Sequence, residues 1–140
     1  MKKLFSTLFA LAVIVSMTVL TSCSGGPSNE SVGKIIEKYH NGDQLTEADY
    51  GTIIDYVDAA MDDVLPIYQE VQKAYENQDM DKIKSLQEKS MKLQEKYSNM
   101  DGAIAIMDRA DDAELGEANV EKAKKLIEKM QNAGISMGDF

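Results

Sequence analysis

Few side chains in this 140-residue chain are suited to chemistry: one cysteine, Cys23, one histidine, His40, and 24 carboxylates against 15 lysines and arginines. Thiolate and imidazole commonly serve as nucleophile and general base, and clustered carboxylates hold hard cations. Glu37 and His40 stand three residues apart, on one face of a helix. A carboxylate and an imidazole at that spacing hold metals in helical bundles only when the pair occurs twice, with glutamates from two further helices. A single histidine cannot complete that set. Asp101, Asp108, Asp111, Asp112, Glu114, Glu117 and Glu121 form an acidic run interrupted by Arg109. Asp108 and Asp112 lie one helical turn apart and would share a cation. Without a glycine-bearing loop to fix its geometry, the run reads as a solvated face. His40 has no serine or acid at a spacing that identifies a triad, and no glycine-rich loop follows a strand. The sequence therefore predicts no catalytic residue, metal site or cofactor, and a chain that is not an enzyme.

Asn41-Gly42-Asp43, followed by Leu45 and an acidic helix, resembles part of an EF-hand calcium loop. That loop needs oxygen ligands at positions 1, 3, 5 and 12 and glycine at 6. The register that aligns Asn41 and Asp43 puts Tyr39 first and Gln44 in the glycine position. The segment is expected to be an inter-helix turn.

Cys23 belongs to a different pattern. Lys2 and Lys3 precede an uncharged stretch over residues 4–20, which ends in Leu20-Thr21-Ser22-Cys23 before the chain turns polar. This resembles the lipobox of bacterial lipoprotein precursors, and the likeness covers only the first 23 residues. It implies that Cys23 is lipidated, that residues 1–22 are removed, and that two or three acyl chains, palmitate among them, hold the protein to a membrane. Two readings compete: Cys23 as an idle thiol beside an ordinary cleavage site, and an uncleaved anchor, for which 17 residues interrupted by Ser6, Thr7, Ser16 and Thr18 fall short of the ~20 a spanning helix needs. By the same resemblance Ser24, where inner-membrane retention would place aspartate, favours the outer membrane, on its periplasmic or surface face.

The remaining 118 residues suffice for one domain. They carry 13 basic against 24 acidic side chains, a net −11. Such a charge repels nucleic acid and anionic lipid alike, so membrane contact is expected through the lipid alone. One cysteine excludes an intramolecular disulfide. Residues 23–30 read as the lipidated cysteine and a polar linker, and 31–140 as a single helical domain.

No stretch alternates like a strand, and three-four spacing dominates. A first helix is predicted over about residues 31–41, with Val32, Ile35, Ile36 and Tyr39 inward and Gly42 as its stop. Thr46 with Asp49 forms a capping box for the second helix, and Leu45 is placed to staple onto Tyr50. That helix carries Ile54, Val57, Met61, Val64, Tyr68, Val71 and Tyr75 as a seam flanked by Ile53, Ala60, Ile67 and Ala74. Pro66 is expected to kink it; a break is the alternative. After a turn at 77–81, one long third helix is read through Ile83, Leu86, Ser90, Leu93, Tyr97, Met100, Ile104 and Met107. Its flank changes from Lys82, Lys89 and Lys96 to Ala103 and Ala110. A fourth helix over 117–133 is expected to bury Val120, Ala123, Ile127 and Met130 and to stop at Gly134, leaving a tail over 135–140.

The fold class expected is all-α: a small bundle of about four helices built around a long antiparallel helical hairpin. The second and third helices, each ~45 Å long, would project beyond the bundle as a two-helix arm. Lysines guard only one side of the arm seam, so Ile67 and the edges of Tyr68 and Tyr75 are expected to be partly exposed, and Ile67, Tyr68, Val71 and Tyr75 to bind a partner. The function expected is a membrane-tethered interaction or structural module of the cell envelope, with an envelope protein or a second copy as partner. The alternative is a cation- or small-ligand-binding envelope lipoprotein using the acidic run. If the lipobox operates, labelled fatty acid enters the protein in its native host, and Cys23→Ala abolishes that labelling. Labelling that survives the substitution refutes lipidation at Cys23.

Overall fold

The computed structural model describes residues 26–134; the lipobox with Cys23 and the tail over 135–140 lie outside them. Among the described residues 82% are helical, in six helices without a strand, an all-α small helical bundle. They are α1 (Asn29–His40), α2 (Glu47–Glu76), α3 (Met80–Lys96), α4 (Met100–Arg109), α5 (Asp112–Leu115) and α6 (Glu117–Asn132).

Local signals explain most of the boundaries. Ser28 accepts the Ser31 amide and starts α1 at Asn29, two residues ahead of the expected start. Its end is a Schellman turn: the Gly42 amide donates to the Tyr39 carbonyl and that of Asp43 to Lys38, with Gly42 at φ 80°. Both halves of the Thr46–Asp49 capping box form at the start of α2. The helix then runs 30 residues, ~45 Å, and passes through Pro66 without a break.

The expected long third helix is instead two, and this is the main correction. Helical geometry lapses at Tyr97 (φ −117°, ψ 46°) and resumes at Met100. Hydrophobic spacing continues across the gap, but polar side chains take over the backbone bonds. Asn29 Nδ2 donates to the carbonyls of Lys96 at 2.8 Å and Glu95 at 3.3 Å. The Asn99 amide donates to the Tyr56 hydroxyl, which itself donates to Asn29 Oδ1. Asn99 Nδ2 closes the knot on the Asn29 carbonyl at 2.7 Å. Buried carbonyls need partners, and here a residue assigned to the linker supplies them. α3 is therefore only 17 residues long, ~25 Å rather than ~45 Å.

The break frees α4 to lie between α1 and α2. There Gly102 approaches α1 so closely that a Cβ would stand 2.5 Å from Ile36 Cδ1. α2 is the central element, packed by α1, α4 and α6 around Val32, Ile53, Ile54, Val57, Ile106 and Leu126. α6 turns differently from the expected stripe: Ala123, Leu126 and Met130 are buried with Asn119, while Val120 and Ile127 are only half-buried. Asn119 belongs to the buried face because its amide caps two carbonyls, Glu47 at 2.7 Å and Leu115 at 2.8 Å. Along the same seam Lys122 pairs with Asp55, and Lys129 with Asp58 and Asp62, at 2.6 to 2.8 Å.

Tyr56 is 1% exposed and burial pushes its hydroxyl up to about 12, so it stays protonated and can donate. Tyr56→Phe strands the Asn99 amide and Asn29 Oδ1. It is expected to lower stability by about 1–3 kcal/mol, read as a lower urea midpoint at unchanged slope.

Candidate functional site

Beyond the bundle, the last turns of α2 and the first of α3 pair as a two-helix arm with its own small core. Ala74, Ile83 and Leu86 are buried there, with Ile67 and Val71 half-buried against them. Residues 67, 71 and 74 fall on one stripe of α2, the stripe that faces α3. Tyr68 and Tyr75 lie on the neighbouring stripe. Tyr68 is half-buried against the edge of the main core, and its hydroxyl accepts Gln72 Nε2 at 2.8 Å. Tyr75 is 60% exposed.

The tip adds a residue that pattern reading missed. Met80, the first residue of α3, is 64% exposed, and with Tyr75 it makes up the large exposed hydrophobics of the described residues. The five-residue separation hides this pairing in the sequence, because a turn lies between them. The Gln78 amide donates to the Tyr75 carbonyl and that of Asp79 to Ala74, a second Schellman turn. Its left-handed position holds Gln78 at φ 54°, the one non-glycine residue with positive φ among those described. Glycine would occupy that conformation without the cost a Cβ brings. Asp79 then accepts the Lys82 amide at 3.0 Å and starts α3 at once.

Charge separates the arm from the bundle. Residues 67–96 carry six lysines and six carboxylates; the rest of the described chain carries seven basic and seventeen acidic side chains. The arm is neutral and the bundle holds a net −10. Of the lysines expected to guard the seam, Lys82 reaches Glu70 at 3.9 Å and Lys89 is exposed. Lys96 closes the base of the arm, 2.6 Å from Asp63 and over the Tyr97 ring at 5.2 Å. Tyr97 donates to the same carboxylate oxygen at 2.7 Å.

Other chemistry-bearing residues are scattered. Glu37 and His40 are exposed on α1, where His40 meets Tyr39 edge to face. Within the acidic run Asp111 and Glu114 form the capping box of α5, and Glu121 pairs with Lys125. Among the described residues no three histidine, cysteine or acidic side chains are grouped to hold a metal ion. No described helix is long and apolar enough to cross a membrane. No protein-family model, curated protein or solved structure matches this chain.

Burial acts to raise the Asp63 carboxyl, but hydrogen bonds from Lys96 and Tyr97 and the lysine charge outweigh it and hold the group below its ordinary value. A carboxylate lowered on folding contributes its stability in full above its unfolded-state value, about pH 4. That contribution fades as pH falls through the folded value. Melting temperature should therefore be flat near neutrality and fall below about pH 4. In Asp63→Asn the acid slope should be shallower, and an unchanged slope would show that this carboxylate is not coupled to folding.

Proposed function

We propose that this protein is a lipid-anchored helical module of the cell envelope, without enzymatic activity, that engages another envelope protein through its arm. The observation that carries the reading is the arm tip. Tyr75 and Met80 expose large apolar surface on the part of the molecule that is electrically neutral. An aromatic and a methionine side chain are favoured anchors at protein interfaces. A partner approaching the tip meets apolar anchors without crossing the field of the acidic bundle. Tyr68 and Ile67 extend this surface down the arm at half exposure. Lipidation at Cys23, on the residues of the lipobox, would keep the module on the outer membrane. Residues 24–28 then leave only a short stretch before α1.

The test separates surface from core. Ile67 and Val71 pack on Ala74, Ile83 and Leu86, so Ile67→Lys costs stability as well as surface. Tyr75→Ser with Met80→Ser changes exposed side chains and should alter stability by no more than about 0.5 kcal/mol each. Photo-crosslinking at residue 75 in intact envelopes should trap one stoichiometric partner, lost from the double variant. Sedimentation of the purified chain should show a monomer. A concentration-dependent dimer abolished by the same pair would make the occupant a second copy. Unchanged cross-linking in the double variant refutes the arm as the interaction surface.

A further inference from the structure

Six methionines lie among the described residues, and their surroundings divide them. Met61, Met107 and Met130 are no more than 3% exposed and belong to the main core. Met91 and Met100 are half-buried, Met100 against that core. Met80 is 64% exposed and belongs to neither core cluster. A thioether sulfur is soft and nucleophilic, with no proton to lose before it reacts, so access decides which methionine is oxidised.

The backbone at Met80 is held without help from its side chain. Its amide donates to the Gln78 carbonyl at 3.1 Å, and the Asp79 carboxylate just before it accepts the Lys82 amide. Ala74, Ile83 and Leu86, with Ile67 and Val71, form the arm core without it. A change of polarity at the end of this side chain therefore leaves the arm folded.

We propose that Met80 is an oxidation site for hydroperoxides and that its sulfoxide switches the arm tip from apolar to polar. The Met80 sulfur attacks the hydroxyl oxygen of the hydroperoxide: a sulfur–oxygen bond forms as the oxygen–oxygen bond breaks. The hydroxyl proton passes to the departing oxygen, which leaves as water or an alcohol. Sulfur loses two electrons in this step and the peroxide gains them. A dithiol reverses it, taking the oxygen off as water and becoming a disulfide. Met80 and Tyr75 are the large exposed hydrophobics of the described residues, so the sulfoxide leaves Tyr75 as the single apolar anchor of the tip. The oxidation site is independent of what docks at the arm; the switch rests on the arm being the docking surface.

The purified full chain in detergent is treated with hydrogen peroxide, and the oxygen gained at each methionine is read by peptide mass mapping. Met80 should react at least about tenfold faster than Met61, Met107 and Met130, which become accessible only as the core opens. Melting temperature should be unchanged while Met80 alone of these is oxidised. In isolated envelopes, photo-crosslinking at residue 75 should fall several-fold after peroxide. It should return after treatment with a methionine sulfoxide reductase and dithiothreitol. Whatever yield Met80→Leu gives untreated, peroxide should leave it unchanged. Equal rates at Met80 and the buried methionines, or unfolding when Met80 is oxidised, overturn the oxidation site. A parental yield that survives peroxide, or one that falls equally in Met80→Leu, overturns the switch. If residue 75 traps nothing before peroxide, the docking reading fails and takes the switch with it, while the mass map still decides the oxidation site.

Discussion

The arrangement rests on one polar knot inside an otherwise apolar bundle. Asn29, Tyr56 and Asn99 exchange side-chain and backbone hydrogen bonds at the point where α3 gives way to α4. Tyr97 packs edge to face on Tyr56 at 5.4 Å and ties the same point to Asp63. Interior carbonyls released by a helix break are affordable only when other donors reach them. The knot provides those donors from the start of α1 and the middle of α2. It thereby determines where the arm ends, which way α4 departs, and how closely α4 can approach Ile36 across Gly102.

What was readable in the sequence follows from the kind of signal each element uses. The Thr46–Asp49 box and the Gly42 stop are local, and local chemistry decides them. The seam of α2 was readable over Ile54, Val57 and Met61, but Tyr56 and Leu65 are buried beside it, and Tyr75, assigned to it, is 60% exposed. The break at Tyr97 is marked locally only by Ser98-Asn99, of which Asn99 becomes the N-cap of α4; neither glycine nor proline lies there, and the three-four rhythm of apolar residues runs straight through it. Its cause is Asn29, about seventy residues earlier, placed by composition in a polar linker. Asn119 misled for a similar reason. A polar residue is normally assigned to the outer face, and only the contact with Glu47 makes it part of the inner one. At the arm, the half-exposure of Ile67 and Tyr68 followed from counting flanks on a two-helix seam. Met80 did not, because exposure at a turn depends on how the turn is closed.

The acidity also has more structure than its total suggests. Three aspartates of α2 are matched by two lysines of α6, so part of the charge joins two helices. Such partly exposed pairs contribute little stability individually. They set the rotation of α6 against α2 instead, in the manner of complementary flanking charges on paired helices. The unmatched remainder includes Asp111, Asp112 and Glu117 around α5 as well as Glu37 on α1 and Glu128 on α6, while the arm stays neutral. The molecule therefore has two unlike ends, an arm whose charges balance and a bundle that holds a net −10.

Asn29 gives the knot a mechanical meaning as well. It follows Cys23 by six residues, so on the lipid-anchor reading a pull on the protein reaches this side chain before any part of the core. Load passes from Asn29 into the last carbonyls of α3 and, through Tyr56, into the middle of α2. The arm seam lies to one side of that path. Tension between membrane and body would strain the fulcrum at the base of the arm and leave the tip free of load.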